Sequence, residues 1–309
     1  MSAANVSGLL VVGEALIDVV HRLDGTVDKV PGGSPANVAI TLGRLGRTPH
    51  LLAWLGDDEE GARVTGWLGA SGVSLVAGSD GADHTSTATA ILGEDGGAQY
   101  VFDIAWDIPR DLTVDGLEHL HLGSIGAVLA PATEAVRDLV LRARAAGATI
   151  SYDPNTRPAI MGDPVVTLTQ VQHLVELSDV VKVSDEDLEW LFPGEDPESM
   201  AARWATQGPS LVVMTRGGDG AVAFHSGERL EVDGVRVTVV DTVGAGDTFM
   251  GALIDGLTTV GALGAGRSEE KQTVDLDALA AVLERCARAA AVTVSRPGAD
   301  PPTAAELDG

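Results

Sequence analysis

The chain has 309 residues, of which 45% are hydrophobic, enough to bury a sizeable core in one large domain or two ordinary ones. Its formal net charge of -25, with 20 Lys and Arg against 45 Asp and Glu, excludes a general nucleic-acid or anionic-membrane surface, so an anionic ligand has to be held by local donors. The lone Cys286 excludes an internal disulfide, and the absence of a basic leader or of an apolar run of roughly 18 to 20 residues excludes a membrane span, so the expected setting is a reducing cytoplasm.

In chain order, LLVVG (9–13) reads as a short strand buried on both faces, and IDVVHRLDGTVDKV (17–30) as a β-hairpin turning at DG. A glycine loop, PGGSP, then opens the helical NVAITLGRLG. HLLAWLG (50–56) is the next buried strand and DEEGARVTGWLGASG the next helix, ending in glycine. HTSTATAILGEDGGAQYVFDIAW (84–106) is a second hairpin with a turn at EDGG, and with the first it forms a small β flap. LEHLHLG (117–123), ATISYD (148–153), DVVKV (179–183) and SLVVMT (210–215) continue the strand series, with the helix ATEAVRDLVLRARAAG after the first. VRVTVVDT (235–242) alternates and is β-branched, which predicts a strand; TFMGALIDGLTTV after it has helical spacing. LGAGRSEEKQT (263–273) reads as an exposed loop before the last helix, DLDALAAVLERCARAAAVTV. Apolar strands alternating with helices predict an α/β fold with a parallel sheet.

The informative stretch is DTVGAGDTFMGALI (241–254). A glycine turn at a helix N-terminus holds an anion with backbone N–H groups and the helix dipole, without a cationic side chain. Gly244, Ala245 and Gly246 leave room for such a ligand, and Asp247, which would repel a phosphate, suits a base for a neutral hydroxyl beside it. That combination is phosphoryl transfer. The bland alternative is an acid that merely complements the helix dipole behind a tight turn. Other phosphate loops do not fit. Lys29, Lys182 and Lys271, the only lysines, are followed by Val, Val and Gln, so GxxxxGK[ST] is absent; the dinucleotide pattern GxGxxG fails at Phe249. Gly32 to Ala36 approaches the GxSxG elbow of serine hydrolases, but Pro35 lacks the N–H that the oxyanion needs. His119 and His121 share one strand face, where apolar neighbours favour packing over metal binding.

GEALIDVV (13–20), PGGSPANVAITLGRLG (31–46) and DTVGAGDTFMGAL together resemble the two diagnostic motifs of the ribokinase-like, or PfkB, carbohydrate kinases, and are most similar in wording to fructokinases. The match runs in family order along nearly the whole chain. It implies a ribokinase-like three-layer α/β sandwich over residues 1–309, with a mostly parallel central sheet and a small β-sheet lid made by segments near 15–30 and 84–108. It implies Asp247 as catalytic base and Gly244 to Gly246 as its anion hole. Asp18, Gly32, Gly33 and Asn37 would line the sugar pocket, with Arg157 of DPNTR (153–157) near the phosphate path. Asn155, Ser184, Thr215, Gly217, Gly218 and Gly220 would bind the nucleotide, the last four in the turn TRGGDGA (215–221). ATP and Mg2+ follow from the resemblance, with Asp187 beside the metal, and Asp241 with Ser295 to Ala299 at a monovalent cation (K+) site. Many family members carry Asn-x-x-Glu where this chain has Ser184 and Asp187, and the shorter Asp187 would reach magnesium only through a water or a backbone shift.

The acceptor implied is a monosaccharide primary hydroxyl, with fructose favoured. 2-Keto-3-deoxygluconate, ribose and nucleosides are the alternatives within the family, and a non-catalytic sugar sensor on the same fold is the alternative outside catalysis. A sugar phosphate is disfavoured because 84–106 contains no Lys or Arg. The expected partners are a small-molecule sugar and ATP, not nucleic acid or membrane. Flap-to-flap homodimers and solvated flaps both occur in such kinases, and the threonine-rich 84–92 strand fits either.

Overall fold

The computed structural model describes residues 4–92, 98–264 and 274–309. In chain order the first elements are β1 (Ala4–Asn5), β2 (Gly8–Val12), β3 (Leu16–His21), β4 (Val27–Gly32), α1 (Ser34–Arg44), β5 (His50–Leu52), α2 (Glu59–Ala70), β6 (Ser74–Leu75), β7 (Thr87–Leu92) and β8 (Ala98–Asp103). Then come β9 (Leu112–Thr113), β10 (Leu117–Gly123), α3 (Ser124–Val128), α4 (Thr133–Ala145), β11 (Thr149–Asp153), α5 (Pro158–Met161), α6 (Pro164–Leu177), β12 (Val180–Ser184), α7 (Asp185–Leu191) and α8 (Pro197–Trp204). The last are β13 (Leu211–Thr215), β14 (Ala221–His225), β15 (Glu228–Val232), α9 (Ala245–Thr259), α10 (Leu276–Val294) and α11 (Ala304–Asp308).

Nine strands form the main sheet in the order β15-β14-β13-β12-β11-β10-β2-β5-β6. All neighbours are parallel except β13 with β14 and β14 with β15. Continuous Val, Ile and Leu runs belong in such a sheet because helices cover both faces. On one face Leu139 of α4, Val175 of α6, Leu188 of α7 and Trp204 of α8 pack against Ile150, Val181 and Val212. On the other Ile40 of α1, Leu68 of α2, Met250 and Leu253 of α9 and Leu283 of α10 pack against Val11, Val180 and Val213. The result is the expected three-layer α/β sandwich.

A separate four-stranded sheet, β4-β3-β7-β8, gathers the two expected hairpins, joined by a parallel β3–β7 pair. The EDGG turn and most of the 263–273 loop lie outside the described residues.

The expected strand at 235–242 does not form. After β15 the chain leaves the sheet with Val235, Val237, Val239 and Val240 exposed, and the Val240 and Asp241 amides donate to the Val294 carbonyl at the end of α10. Alternating β-branched residues make a strand only beside a partner ladder, and none runs there. The antiparallel hairpin of β14 and β15, which the sequence reading did not single out, occupies that sheet edge instead.

Helices α1 and α9 lie in direct contact, and Gly251 makes this approach: a Cβ there would sit 2.6 Å from Thr41 Cβ and 3.2 Å from the Val38 carbonyl oxygen. We predict that Gly251→Ala pushes the two helices apart and destabilises the chain by about 1–3 kcal/mol, as overpacked core sites do. A denaturant midpoint equal to wild type would show that the contact is not tight.

Candidate active site

Parallel strands deliver their C-terminal ends to one edge of a sheet, where ligands bind in folds of this kind. Here that edge carries Gly13 and Glu14 after β2, Gly123 of β10 beside Asp153 of β11, and Ser184 of β12 beside Thr215 of β13. The N-terminus of α9 comes down over the same edge. Gly244 caps it in the left-handed conformation (φ 77°), which a residue with a Cβ rarely adopts, and Gly244, Ala245 and Gly246 remain half-buried rather than sealed.

Asp247, in the first turn of α9, is buried. Its Oδ1 accepts from Ser34 Oγ at 2.7 Å and from Asn155 Nδ2 at 3.1 Å, and its Oδ2 accepts from Asn37 Nδ2 at 2.8 Å. Asn155 Nδ2 also donates to Ser34 Oγ at 2.7 Å. The carboxylate is thus fixed by neutral donors from α1 and from the loop after β11, with no cation in direct contact. Asn37 does more than begin a helix: its Oδ1 is buried without a protein partner, an acceptor free for a hydroxyl.

Asp18 on β3 faces the same region. A Cβ on Gly32 would lie 2.2 Å from Asp18 Oδ2, so the bare glycine lets the carboxylate through. Partial burial raises the Asp18 pKa, an effect that the Arg157 guanidinium opposes. Gly33 precedes α1, where an added Cβ would strike the Glu14 carbonyl oxygen at 2.5 Å. Arg157 is exposed and donates to the Asn155 and Thr156 carbonyls and to Asn155 Oδ1.

Of the residues expected around a nucleotide, Ser184 and Thr215 are register partners on neighbouring strands, and Gly217, Gly218 and Gly220 form the turn from β13 to β14. Asn155, expected near the phosphate path, turns its side-chain amide to Asp247 and Ser34. Asp187, expected beside the metal, is buried and engaged by protein donors. Asp187 Oδ1 accepts from Thr156 N and Thr156 Oγ1, both at 2.7 Å, while Oδ2 accepts from Ser184 N in a capping box that starts α7. Both oxygens are therefore held by protein donors. Asp241 spans two segments, accepting from Val243 N and Gly298 N, which brings the 295–299 stretch beside it. Among the described residues no group of three or more His, Cys, Asp or Glu side chains gathers as a metal cage. His119 and His121 bond instead to hydroxyls, His119 to Thr149 and Ser151 and His121 to Ser151, inside the sheet.

The family comparison agrees with this geometry: the pfkB family carbohydrate kinase profile matches residues 7–305. The chain belongs to the pfkB family of carbohydrate kinases. It is 36% identical to a fructokinase of Rhizobium leguminosarum bv. trifolii, over 81% of this chain and 79% of that protein. The fold is similar to that of a crystal structure of a Xylella fastidiosa fructokinase with bound ATP (TM-score 0.81, 24% identity, 97% of this chain and 96% of that one). It is likewise similar to a Vibrio cholerae fructokinase double mutant with fructose, ADP and potassium ion bound (TM-score 0.79, 24% identity, 100% and 99% coverage).

Four residues at this kinase site were not assigned from sequence: Ser34, Glu14, Asp153 and Lys182. The signal for Lys182 was present, since a lysine inside the buried run VVKV requires a partner. Its Nζ meets Asp153 Oδ2 at 2.9 Å.

Glu14 is buried, and its Oε2 accepts from the Gly126 amide at 3.0 Å. Burial pushes its pKa up from 4.5 to about 7, only partly offset by hydrogen bonds and by Arg157. Between those two values the folded chain holds a proton that the unfolded chain has lost, so stability falls as pH rises, with a slope of up to about 1.4 kcal/mol per pH unit from this group. Below the lower value and above the upper one Glu14 adds no slope. We predict that Glu14→Gln removes this component: the difference in unfolding free energy between wild type and variant changes from pH 5 to pH 7. A pH-independent difference would refute the burial argument.

Proposed function

We propose that this carbohydrate kinase transfers the γ-phosphoryl group of ATP to a primary hydroxyl of fructose. The observation that carries the proposal is the Asp247 carboxylate, fixed by Ser34, Asn37 and Asn155 one residue beyond a half-buried glycine turn. In this reading the sugar lies between Asp18, Gly32, Gly33 and Asn37, with the unpaired Asn37 Oδ1 taking one of its hydroxyls. Asp247 accepts the proton of the attacking hydroxyl as its oxygen bonds to the γ-phosphorus and the bond to the β–γ bridging oxygen breaks. The amides of Gly244 to Gly246, with the helix dipole behind them, meet the charge on the transferred group. Arg157, exposed on the loop after β11, is placed to follow that group.

The nucleotide is assigned to Ser184, Thr215, Gly217, Gly218 and Gly220. Support for ATP and for fructose comes from the ligands of the two solved fructokinases and from the identity to the Rhizobium enzyme. Among the described residues no carboxylate group gathers as a cage for magnesium, and the ion is assigned to phosphate oxygens and water, as is usual for Mg2+ on nucleotides. Asp241 with the 295–299 segment is the proposed place for a potassium ion, supported by the ion in the Vibrio structure.

The small sheet is proposed as a lid over the sugar, excluding water as a competing acceptor. Val27, Val30, Ile91, Tyr100 and Val101 are exposed on it. They fall on both of its faces, which supports one face closing on substrate and the other meeting a second copy in a homodimer. No helix among the described residues is long and apolar enough to cross a membrane.

Asp247→Asn is expected to lower kcat by about 10² to 10⁴-fold, the range for a general base, while calorimetry still detects ATP binding. Turnover near wild type would remove the assigned role. Asp18→Ala is expected to act mainly on fructose KM, because a hydrogen bond to a charged group is worth about 1.5–3 kcal/mol. ADP release measured across fructose, ribose, 2-keto-3-deoxygluconate and nucleosides tests the acceptor, and a nucleoside outpacing fructose would overturn its identity.

A further inference from the structure

The VVKV strand, β12, places Lys182 on the sheet face that packs against α1 and α9, the face that Val180 also occupies. Asp153 lies on the neighbouring β11, one residue beyond the Tyr152–Val181 register pair, so the two side chains meet across the strands. Lys182 Nζ donates to Asp153 Oδ2 at 2.9 Å, with the side chains 3% and 1% exposed. A buried ion pair contributes little net stability compared with an apolar pair of the same size, so stability alone does not explain it.

Its position does. A Cβ on Gly246 would fall 3.0 Å from Lys182 Nζ, so the bare glycine lets the ammonium pack directly against the first turn of α9. Three carboxylates act on Lys182: Asp153, Asp187 and Asp247. A phosphoryl group arriving at the Gly244–Gly246 turn therefore enters a region rich in negative charge. Lys182 is a cation already buried there, and burial leaves its field weakly screened by salt and water. Arg157, the other cation acting on this region, is exposed.

We propose that Lys182 is a positioning residue for phosphoryl transfer: held by Asp153 against Gly246, its ammonium keeps the Gly244–Gly246 turn electropositive toward the migrating phosphoryl group. The role rests on the phosphoryl-transfer reading of this site. No proton moves and no bond to Lys182 forms; the effect is electrostatic and passes through the peptide groups of the turn.

Two variants test it. Lys182→Gln removes the charge and keeps a donor for Asp153. Asp153→Asn combined with Lys182→Met removes both charges, so no unpaired carboxylate is left in the interior. In each, with folding checked by circular dichroism and thermal melting, kcat for sugar phosphorylation is expected to fall about 10- to 100-fold, somewhat less than for loss of a direct oxyanion donor, with the KM for sugar changed less than about threefold. ADP should stabilise the folded variants as it does wild type, whereas the added stabilisation from aluminium fluoride and fructose should be lost. A folded variant of either kind with wild-type kcat would overturn the proposal and leave the pair a structural one. Wild type assayed alongside separates the two readings: absence of sugar phosphorylation by wild type would overturn the kinase assignment together with this role, whereas normal turnover in the charge-free variants overturns this role alone.

Discussion

One carboxylate must be held still at the mouth of a helix, and much of the architecture serves that constraint. Asp247 is fixed by Ser34 and Asn37 from α1 and by Asn155 from the loop after β11. Those donors stay in place only if α1 and α9 pack closely, which the Gly251–Thr41 contact permits, and if the strand ends share one edge, which parallel pairing supplies. Neutral donors are suited to this task. They orient the carboxylate and, in the role proposed for it, leave its charge available for an approaching hydroxyl, whereas a directly bonded cation would make it a poorer base.

The neighbouring charges are sorted by depth. Lys182 and Asp153 are paired in the interior, Asp187 is locked by Thr156 and Ser184, and Arg157 stays at the surface. This arrangement revises a simple view of the anion-holding turn. In the proposed reading backbone amides and the helix dipole face the phosphoryl group, as the GAGD sequence suggests, and a lysine stands behind them on the sheet. In a chain with a net charge of -25, a buried cation acts at short range where the surface field is repulsive.

Much of the fold was legible because its signals are local. Buried strands appear as short apolar runs, and the glycine turn before TFMGALI marks the start of α9. Asp247 and Asn37 were singled out because motif and chemistry agree at those positions, and the fold brings their side chains together. What was not legible depends on partners far away in sequence. VRVTVV reads as a strand by alternation, but no neighbouring strand is there to pair with it. The turn of the Asn155 side chain toward Asp247 and Ser34 was not legible, because a motif fixes order along the chain and not the direction of a side chain. The resemblance places Asp187 beside a metal, and only the fold shows Thr156 at its oxygens. The partnership of Lys182 with Asp153 required knowing that β11 and β12 are neighbours.

The donors to Asp247 from α1 lie 210 and 213 residues earlier in the chain. A ribosome therefore completes the donors of α1 and all nine strands of the main sheet before Asp247 emerges. Such long-range closure is slow, because the loop entropy is lost before the contact is gained. Until α9 docks, the groove of α1 that receives it stays open, and the unfinished chain carries Ser34 and Asn37 with no carboxylate to bind. A chain cut short before α9 lacks Asp247 and leaves the sheet face that α9 and α10 cover without Met250, Leu253 and Leu283.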